Sequence, residues 1–314
     1  MTTLVRLGLD VGGTASRWAA CDDAGQVLAR GKVAGATGHV FNPAEKDRLR
    51  AALTTIAAAL RESGLAAASV AVGLTGYGAA VAGDVKVLLA DTLGAQPADM
   101  IVIDDIALAY MANFAPGEGH LVSAGTGSIG VHIGRDGSLI RVGGRGILID
   151  DAGSGSWIAL RAIDQVYRVL DQSGSFDGIR DLAQHLFDTI GGSDWQDVRQ
   201  FVYAGDRGRI GSLAVAVARA AEAGDAVALS ILRRAGVELA RLADALVSRA
   251  GDCPIGLIGG VLGLHPVIEE EIRRNLTGRD VRLVAADASL AAARLRVDGT
   301  TGWGRLLASG AVFR

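Results

Sequence analysis

The feature that most limits the fold of this 314-residue chain is a pattern that occurs twice. An apolar run at 4–9 leads into Asp10, the turn Gly12-Gly13-Thr14 and a strand at 16–21 that is apolar from Trp18 to Cys21. The turn Asp22-Asp23-Ala24-Gly25 and a third extended run at 26–33 follow. The second copy has a strand at 121–124, the turn Gly125-Thr126-Gly127-Ser128, a strand at 129–133, the turn Arg135-Asp136-Gly137 and a strand at 138–142. Gly12 and Gly125 stand 113 positions apart (125 − 12). Hairpins are common, but each copy is also followed by helices. A duplicated α/β domain accounts for both halves.

Between and after the copies the chain alternates helix and buried strand. Asn42-Pro43 opens a helix, as cap and first helical residue, and Gly64 stops it. A strand at 69–74 ends in Thr75-Gly76, and a helix spans 79–93. A short strand at 100–103 ends in Asp104-Asp105 before a helix at 106–114. Past the second copy the periodicity predicts helices at 154–171, 178–190, 195–203, 211–223 and 225–249. A strand at 254–258, a helix at 265–276, a strand at 281–285 and a helix at 287–297 close the chain. The stretch 34–42, with glycine and histidine, reads as a mobile loop.

Four glycine-rich segments follow directly on expected strands: Gly12-Gly13-Thr14, Gly76, Gly125-Thr126-Gly127-Ser128 and Gly259-Gly260-Val261. In α/β sheets ligands bind beyond the carboxyl ends of the strands. Backbone amides of such turns, with the Thr14 hydroxyl, suit phosphate oxygens. One phosphate-type turn per half, across a cleft between duplicated domains, suits a polyphosphate nucleotide, and the late glycine pair leaves room for a base or ribose. Neither a Walker-type phosphate loop nor a GxGxxG opening a helix is present. Asp10 is placed to hold Mg2+ directly or through water.

Asp104 and Asp105 end a buried strand. One is expected to cap the following helix, and the other to accept or orient the proton of an attacking hydroxyl. In Asp150-Asp151-Ala152-Gly153-Ser154 the acids either cap the next helix or, through Asp151, bond substrate hydroxyls. His39, His120, His132, His185 and His265 lack ligand spacing, and His132 reads as structural. Trp18, Trp157 and Trp195 read as core. Ser128 has no partnered His-Asp order of a hydrolase triad.

Half of the residues are apolar, enough for two cores, yet no apolar run approaches the ~20 residues of a membrane span. The formal net charge of −3 offers no general attraction to nucleic acid or acidic membrane. Cys21 and Cys253 form no CxxC and look like small core residues, so zinc, iron–sulfur and disulfide frameworks are unsupported. No secretory leader is visible, and a cytoplasmic setting fits these features.

The segments LGLDVGGT (7–14), VIDDIALA (102–109), LVSAGTGS (121–128), DDAGSGSWIA (150–159) and LIGGVLG (257–263) occur in this order. As a set, they resemble the sugar kinase, heat-shock and actin ATPase superfamily. Within it the chain is similar to N-acetylglucosamine and glucosamine kinases of the BadF/BadG/BcrA/BcrD ATPase family. The likeness extends through 191–195 to the closing segment at 287–293. It implies an α/β chain of two ribonuclease-H-like domains, at 1–116 and 117–314, around a central nucleotide and sugar cleft. The second domain carries extra helices at about 154–250. It further implies ATP and Mg2+ as cofactors, an amino sugar phosphorylated at its C6 hydroxyl, and a homodimer. Asp10 would organise the metal. Gly12, Gly13 and Thr14, with Gly125, Thr126 and Gly127, would meet the phosphates, and Gly259 and Gly260 the adenosine. Asp105 would be the catalytic base, with Asp151, Gly76 and Asp104 on the substrate side. The family's GDEGS pattern stands here as Asp150-Asp151-Ala152-Gly153-Ser154, and Ile129 replaces an asparagine found after GTGS in some members. These departures leave an ATPase or a sugar- or nucleotide-binding protein as the alternative.

Overall fold

A computed structural model describes residues 2–205 and 207–309. The strands, in chain order, are β1 (Thr3–Val11), β2 (Ala15–Cys21), β3 (Val27–Ala34), β4 (Leu65–Leu74), β5 (Met100–Ile103), β6 (His120–Ala124), β7 (Ser128–Ile133), β8 (Leu139–Gly143), β9 (Ile255–Ile258) and β10 (Val281–Leu283). The helices are α1 (Pro43–Glu62), α2 (Ala82–Leu93), α3 (Asp105–Asn113), α4 (Gly155–Ser173), α5 (Arg180–Ile190), α6 (Trp195–Tyr203), α7 (Arg207–Ser212), α8 (Ala214–Glu222), α9 (Ala226–Ala250), α10 (Pro266–Asn275), α11 (Ala288–Arg294) and α12 (Gly302–Ser309).

Two five-stranded sheets form, ordered β3-β2-β1-β4-β5 and β10-β9-β6-β7-β8. Reading β6 as the counterpart of β1 makes the two orders identical. In the first sheet β1, β4 and β5 are parallel, while β2 and β3 add as antiparallel hairpins. In the second, β6 pairs parallel with β9 and antiparallel with β7. The doubled sequence pattern is therefore a doubled topology.

The chain divides into two compact units. Of the described residues, the first holds 2–117, 133–139 and 285–309, and the second holds 118–132 and 140–284. This differs from a single division at 116/117, because the chain returns to the first unit with α11 and α12. The reason lies in β1. Val5, Leu7, Leu9 and Val11 are buried in one core with Leu49, Leu53 and Ile56 of α1. The alternate residues occupy the other face of the sheet. There Gly8 admits the backbone of α11 so closely that a Cβ would fall 2.0 Å from the Ser289 carbonyl oxygen. Only glycine permits that approach. Asp10 shares the Gly8 face by the same alternation.

Two local expectations change. The helix expected at 211–223 is two, α7 and α8, and the short α12 lies in the tail, where the sequence pattern predicts no helix. The Trp303 indole anchors α12 by donating to the Phe114 carbonyl at 2.9 Å.

In the second unit, α4, α5, α8 and α9 share a core with Val122 of β6 and Leu257 of β9. His120 and His132 are buried there with ring centroids 4.9 Å apart. Each ring has a nitrogen within hydrogen-bond distance of a carbonyl: His120 Nε2 of Gly251 at 2.9 Å, and His132 Nδ1 of Gly119 at 2.8 Å. A carbonyl only accepts, so both tautomers are set. Burial, and then His132, push the His120 pKa down. A histidine held neutral by the fold makes the unfolded chain bind more protons below pH 6.5. Stability is then lost as pH falls through that value. The second unit is expected to melt a few degrees lower at pH 5.5 than at pH 7.5. In His120→Gln the pH dependence should be shallower. An unchanged slope in that variant removes His120 as the cause.

Candidate functional site

In the first unit the candidate residues collect at the carboxyl ends of β1 and β4 and the start of α3. Asp10 is cross-strand from Arg17, whose Nη1 stands 3.9 Å from Asp10 Oδ2. The Asp10 pKa is pushed up to about 6, first by burial and then by the charge of Asp105, while Arg17 opposes and Asp287 adds to the rise. Asp287, the first residue of the closing segment at 287–293 and given no role by the sequence, caps α11. It accepts from the Leu290 amide at 3.1 Å and the Ser289 hydroxyl at 2.7 Å. Burial works to raise its pKa, but hydrogen bonds from Ser289 and Leu290, with Arg17, hold it below the ordinary value.

Asp104 occupies the N-cap of α3 without a side-chain capping bond. Asp105, one residue on, has both oxygens engaged. Oδ1 accepts the Ile106 amide at 2.8 Å, and Oδ2 accepts the Thr75 hydroxyl in a short bond. The expected division between the two acids therefore holds for position only.

The stretch 34–42 is tied to both neighbouring turns, contrary to its reading as mobile. Ala36 N–H donates to the Gly12 carbonyl at 3.1 Å, and Gly38 N–H to the Thr75 carbonyl at 2.8 Å. The Thr37 hydroxyl donates to Glu45 of α1 at 2.8 Å. This places the His39 ring over Gly76, with Phe41 exposed beside it at 5.6 Å between centroids. Gly13 and Thr14 are exposed at the tip of the β1–β2 turn.

In the second unit the turn Gly125–Ser128 is clamped by the segment 151–156. Gly155 N–H donates to the Gly125 carbonyl at 2.9 Å, and the Ser128 hydroxyl to the Ala152 carbonyl at 2.7 Å. Ser154, not an aspartate, caps α4, its hydroxyl accepting the Trp157 amide at 3.1 Å. Asp150 pairs with Arg145 at 3.3 Å. Asp151 is 2% exposed and, among the described residues, is the one non-glycine with a positive φ, 59°. Burial pushes its pKa up against Arg207 and hydrogen bonds from the Gly146 and Ser128 backbone, and its Oδ2 has no partner within the chain. A left-handed, buried carboxylate with an orphaned oxygen is strain of the kind that collects at functional sites.

Gly259 ends β9 with φ 119°, and a Cβ there would lie 2.2 Å from the Ala124 carbonyl oxygen. The residue must be glycine for β9 to close on β6 before Gly260 begins a short helical turn to Gly263. Both glycines are exposed. Two core assignments do not hold: Trp195 is 51% exposed, and Cys253 is only half-buried.

The three acids of the first unit feel one another, but they form no ready-made metal cage. Among the described residues no three acidic, histidine or cysteine groups are close enough to ligate one ion. No helix among them is long and apolar enough to cross a membrane.

Comparison with known proteins bears on the family and the fold. An N-acetylmuramic acid/N-acetylglucosamine kinase of Clostridium acetobutylicum is 28% identical over 194 residues, 59% of this chain and 62% of that protein. This chain thus matches less than two thirds of that relative's length. A crystal structure from Chromobacterium violaceum, of a protein provisionally named an N-acetylglucosamine kinase, superposes with a TM-score of 0.71 at 25% identity, over 92% of this chain and 97% of that one. A glucokinase of the ROK family from Streptomyces griseus, solved with glucose and AMPPNP, shares the fold at a TM-score of 0.56 and 18% identity, over 92% of this chain and 97% of that one. Residues 7–289 match the BadF/BadG/BcrA/BcrD ATPase family throughout, and the chain belongs to that family.

Proposed function

We propose that this protein transfers the terminal phosphoryl group of ATP to an amino sugar, N-acetylglucosamine or glucosamine, at its C6 hydroxyl. The observation that carries this reading is Asp105. It is a carboxylate fixed at both oxygens, in the same unit as Asp10 and the Gly12-Gly13-Thr14 turn, at the strand ends where α/β sheets bind ligands. The names of the relatives favour an amino sugar as the acceptor.

The chain's own residues have these roles. Asp105 takes the proton of the sugar hydroxyl as it attacks. The turns Gly12-Gly13-Thr14 and Gly125-Thr126-Gly127 receive phosphate oxygens through the amides of Gly13 and Gly127 and the Thr14 and Thr126 hydroxyls. The Gly12 and Gly125 amides already donate to the carbonyls of Ala15 and Gly127. Gly259 and Gly260 leave space for adenosine. Asp151, Gly76 and Asp104 contribute to the sugar side, where His39 and Phe41 join them. Oxygen donors suit a hard divalent ion, and a cation would offset both the burial and the Asp105 charge that raise Asp10. Asp10 would therefore hold Mg2+ through water, and the ion would offset charge on the transferring phosphoryl group. A cytoplasmic homodimer is the setting this reading carries.

A second reading, an ATPase or binding protein without kinase activity, is favoured by one observation. Ala152 removes a carboxylate from the expected sugar segment, while Asp150 is paired with Arg145. A coupled assay of ADP release, run with Mg-ATP over a panel of hexoses and amino sugars, separates the two. ADP formation that depends on N-acetylglucosamine or glucosamine is expected. ADP release indifferent to every sugar supports the ATPase, and the kinase proposal then fails.

A further inference from the structure

We propose that Thr75 is a positioning residue for the proton transfer, aiming the Asp105 carboxylate through its hydroxyl. The proposal rests on the reading of Asp105 as the proton acceptor and adds a residue to it.

Thr75 follows the last residue of β4 and makes three connections. Its N–H donates to the carbonyl of Val11, which ends β1 next to Gly12, at 3.0 Å. Its carbonyl accepts the Gly38 amide at 2.8 Å. Its hydroxyl donates to Asp105 Oδ2. The proton in the last bond belongs to Thr75, because an ionised carboxylate only accepts. One residue therefore joins the phosphate-type turn, the loop carrying His39, and the acid at the head of α3.

The terminal torsion of an aspartate is broad and roughly two-fold. The Ile106 amide holds one oxygen of Asp105 but leaves the carboxylate plane free to rock about that bond. A second bond to the other oxygen fixes the plane. Each oxygen then has one lone-pair direction left, and the pair of bonds decides where those directions point. A proton acceptor must lie within hydrogen-bond reach of the attacking hydroxyl, and misplacement by about 1 Å costs up to ~100-fold in rate. The backbone bonds of Thr75 would serve a purely structural role equally well. The hydroxyl is what the inference adds, and it can be removed without touching them.

The test compares wild type with Thr75→Val, Thr75→Ser and Asp105→Asn in the ADP-release assay. Valine keeps the branched shape and both main-chain connections, and loses only the hydroxyl. Thr75→Val is expected to lower kcat about 10- to 100-fold, with KM for sugar and ATP within about threefold and a melting temperature near that of wild type. Thr75→Ser, which retains the hydroxyl, should recover kcat to within about threefold of wild type. Two results overturn the proposal while sparing the kinase reading: Thr75→Val turning over like wild type while Asp105→Asn is inactive, or Thr75→Ser as impaired as Thr75→Val. If Asp105→Asn is fully active, or the wild type has no turnover, the reading of Asp105 fails and Thr75 falls with it. If the wild type hydrolyses ATP without sugar, the same comparison is made with water as the acceptor.

Discussion

Replacing Asp105 by asparagine is expected to lower kcat for sugar-dependent ADP release about a thousandfold, with nucleotide affinity within about threefold of wild type. The size follows from the role. A positioned base contributes about 100- to 10,000-fold, and an amide cannot take the proton. The variant should fold because its neighbours adapt. The asparagine oxygen can keep the bond from the Ile106 amide, at 2.8 Å in the parent. Its NH2 group then faces Thr75, whose hydroxyl turns to accept where it had donated. Removing the charge of Asp105 also relieves Asp10, so the metal side is not weakened. Titration with a fluorescent ATP analogue and the coupled assay read the two halves of this result. Turnover within tenfold of wild type would remove Asp105 from its place as base.

Much of this arrangement was legible in the sequence, because it depends on local chemistry. Asn42 and Pro43 start α1 as their types require, with the Asn42 side chain accepting the Ala44 amide at 3.0 Å. Gly94, at φ 72°, ends α2 for the same kind of reason. The glycine turns could be found since each follows an apolar run whose period fixes a strand. What stayed hidden depends on contacts distant in sequence. Nothing near Asp287 signals that it affects Asp10, 277 positions earlier (287 − 10). That follows only once Gly8 admits α11 against β1. The stretch 34–42 reads as mobile by composition, yet its amides find the carbonyls of Gly12 and Thr75. A helix cap is one of the two readings of Asp150-Asp151, but Ser154 is better placed to accept from Trp157, and Asp151 turns inward. Propensity ranks residue types for a position; it does not say which of several adjacent candidates the tertiary packing will use.

The same packing predicts that Asp10→Asn gains stability as it loses activity. Asp10 is pushed up to about 6 from an ordinary value of 3.8, chiefly by burial and the charge of Asp105. A raised carboxyl favours the protonated folded state. The stability tied to that proton is complete below about pH 4 and is lost as pH rises through 6. At pH 7.5 the metal-free fold therefore holds an ionised group at a cost of about 2 kcal/mol, allowing for a side chain 26% exposed to water. Asparagine removes that cost and loses only the contact with an exposed Arg17 at 3.9 Å, worth little at the surface. Without metal the variant is expected to melt about 4–8 °C above wild type at pH 7.5, and alongside it near pH 4, where wild-type Asp10 is already protonated. Adding Mg-ATP should shrink or reverse the gap, because the wild type gains more from ligand binding. Turnover by the variant should fall at least about 100-fold, since the group that organises the ion is gone. Melting curves at the two pH values, with and without Mg-ATP, test every part of this. A variant that melts at or below wild type at pH 7.5 would mean that Asp10 is not held against its charge, and Asp10 would lose its reading as the group that organises a cation.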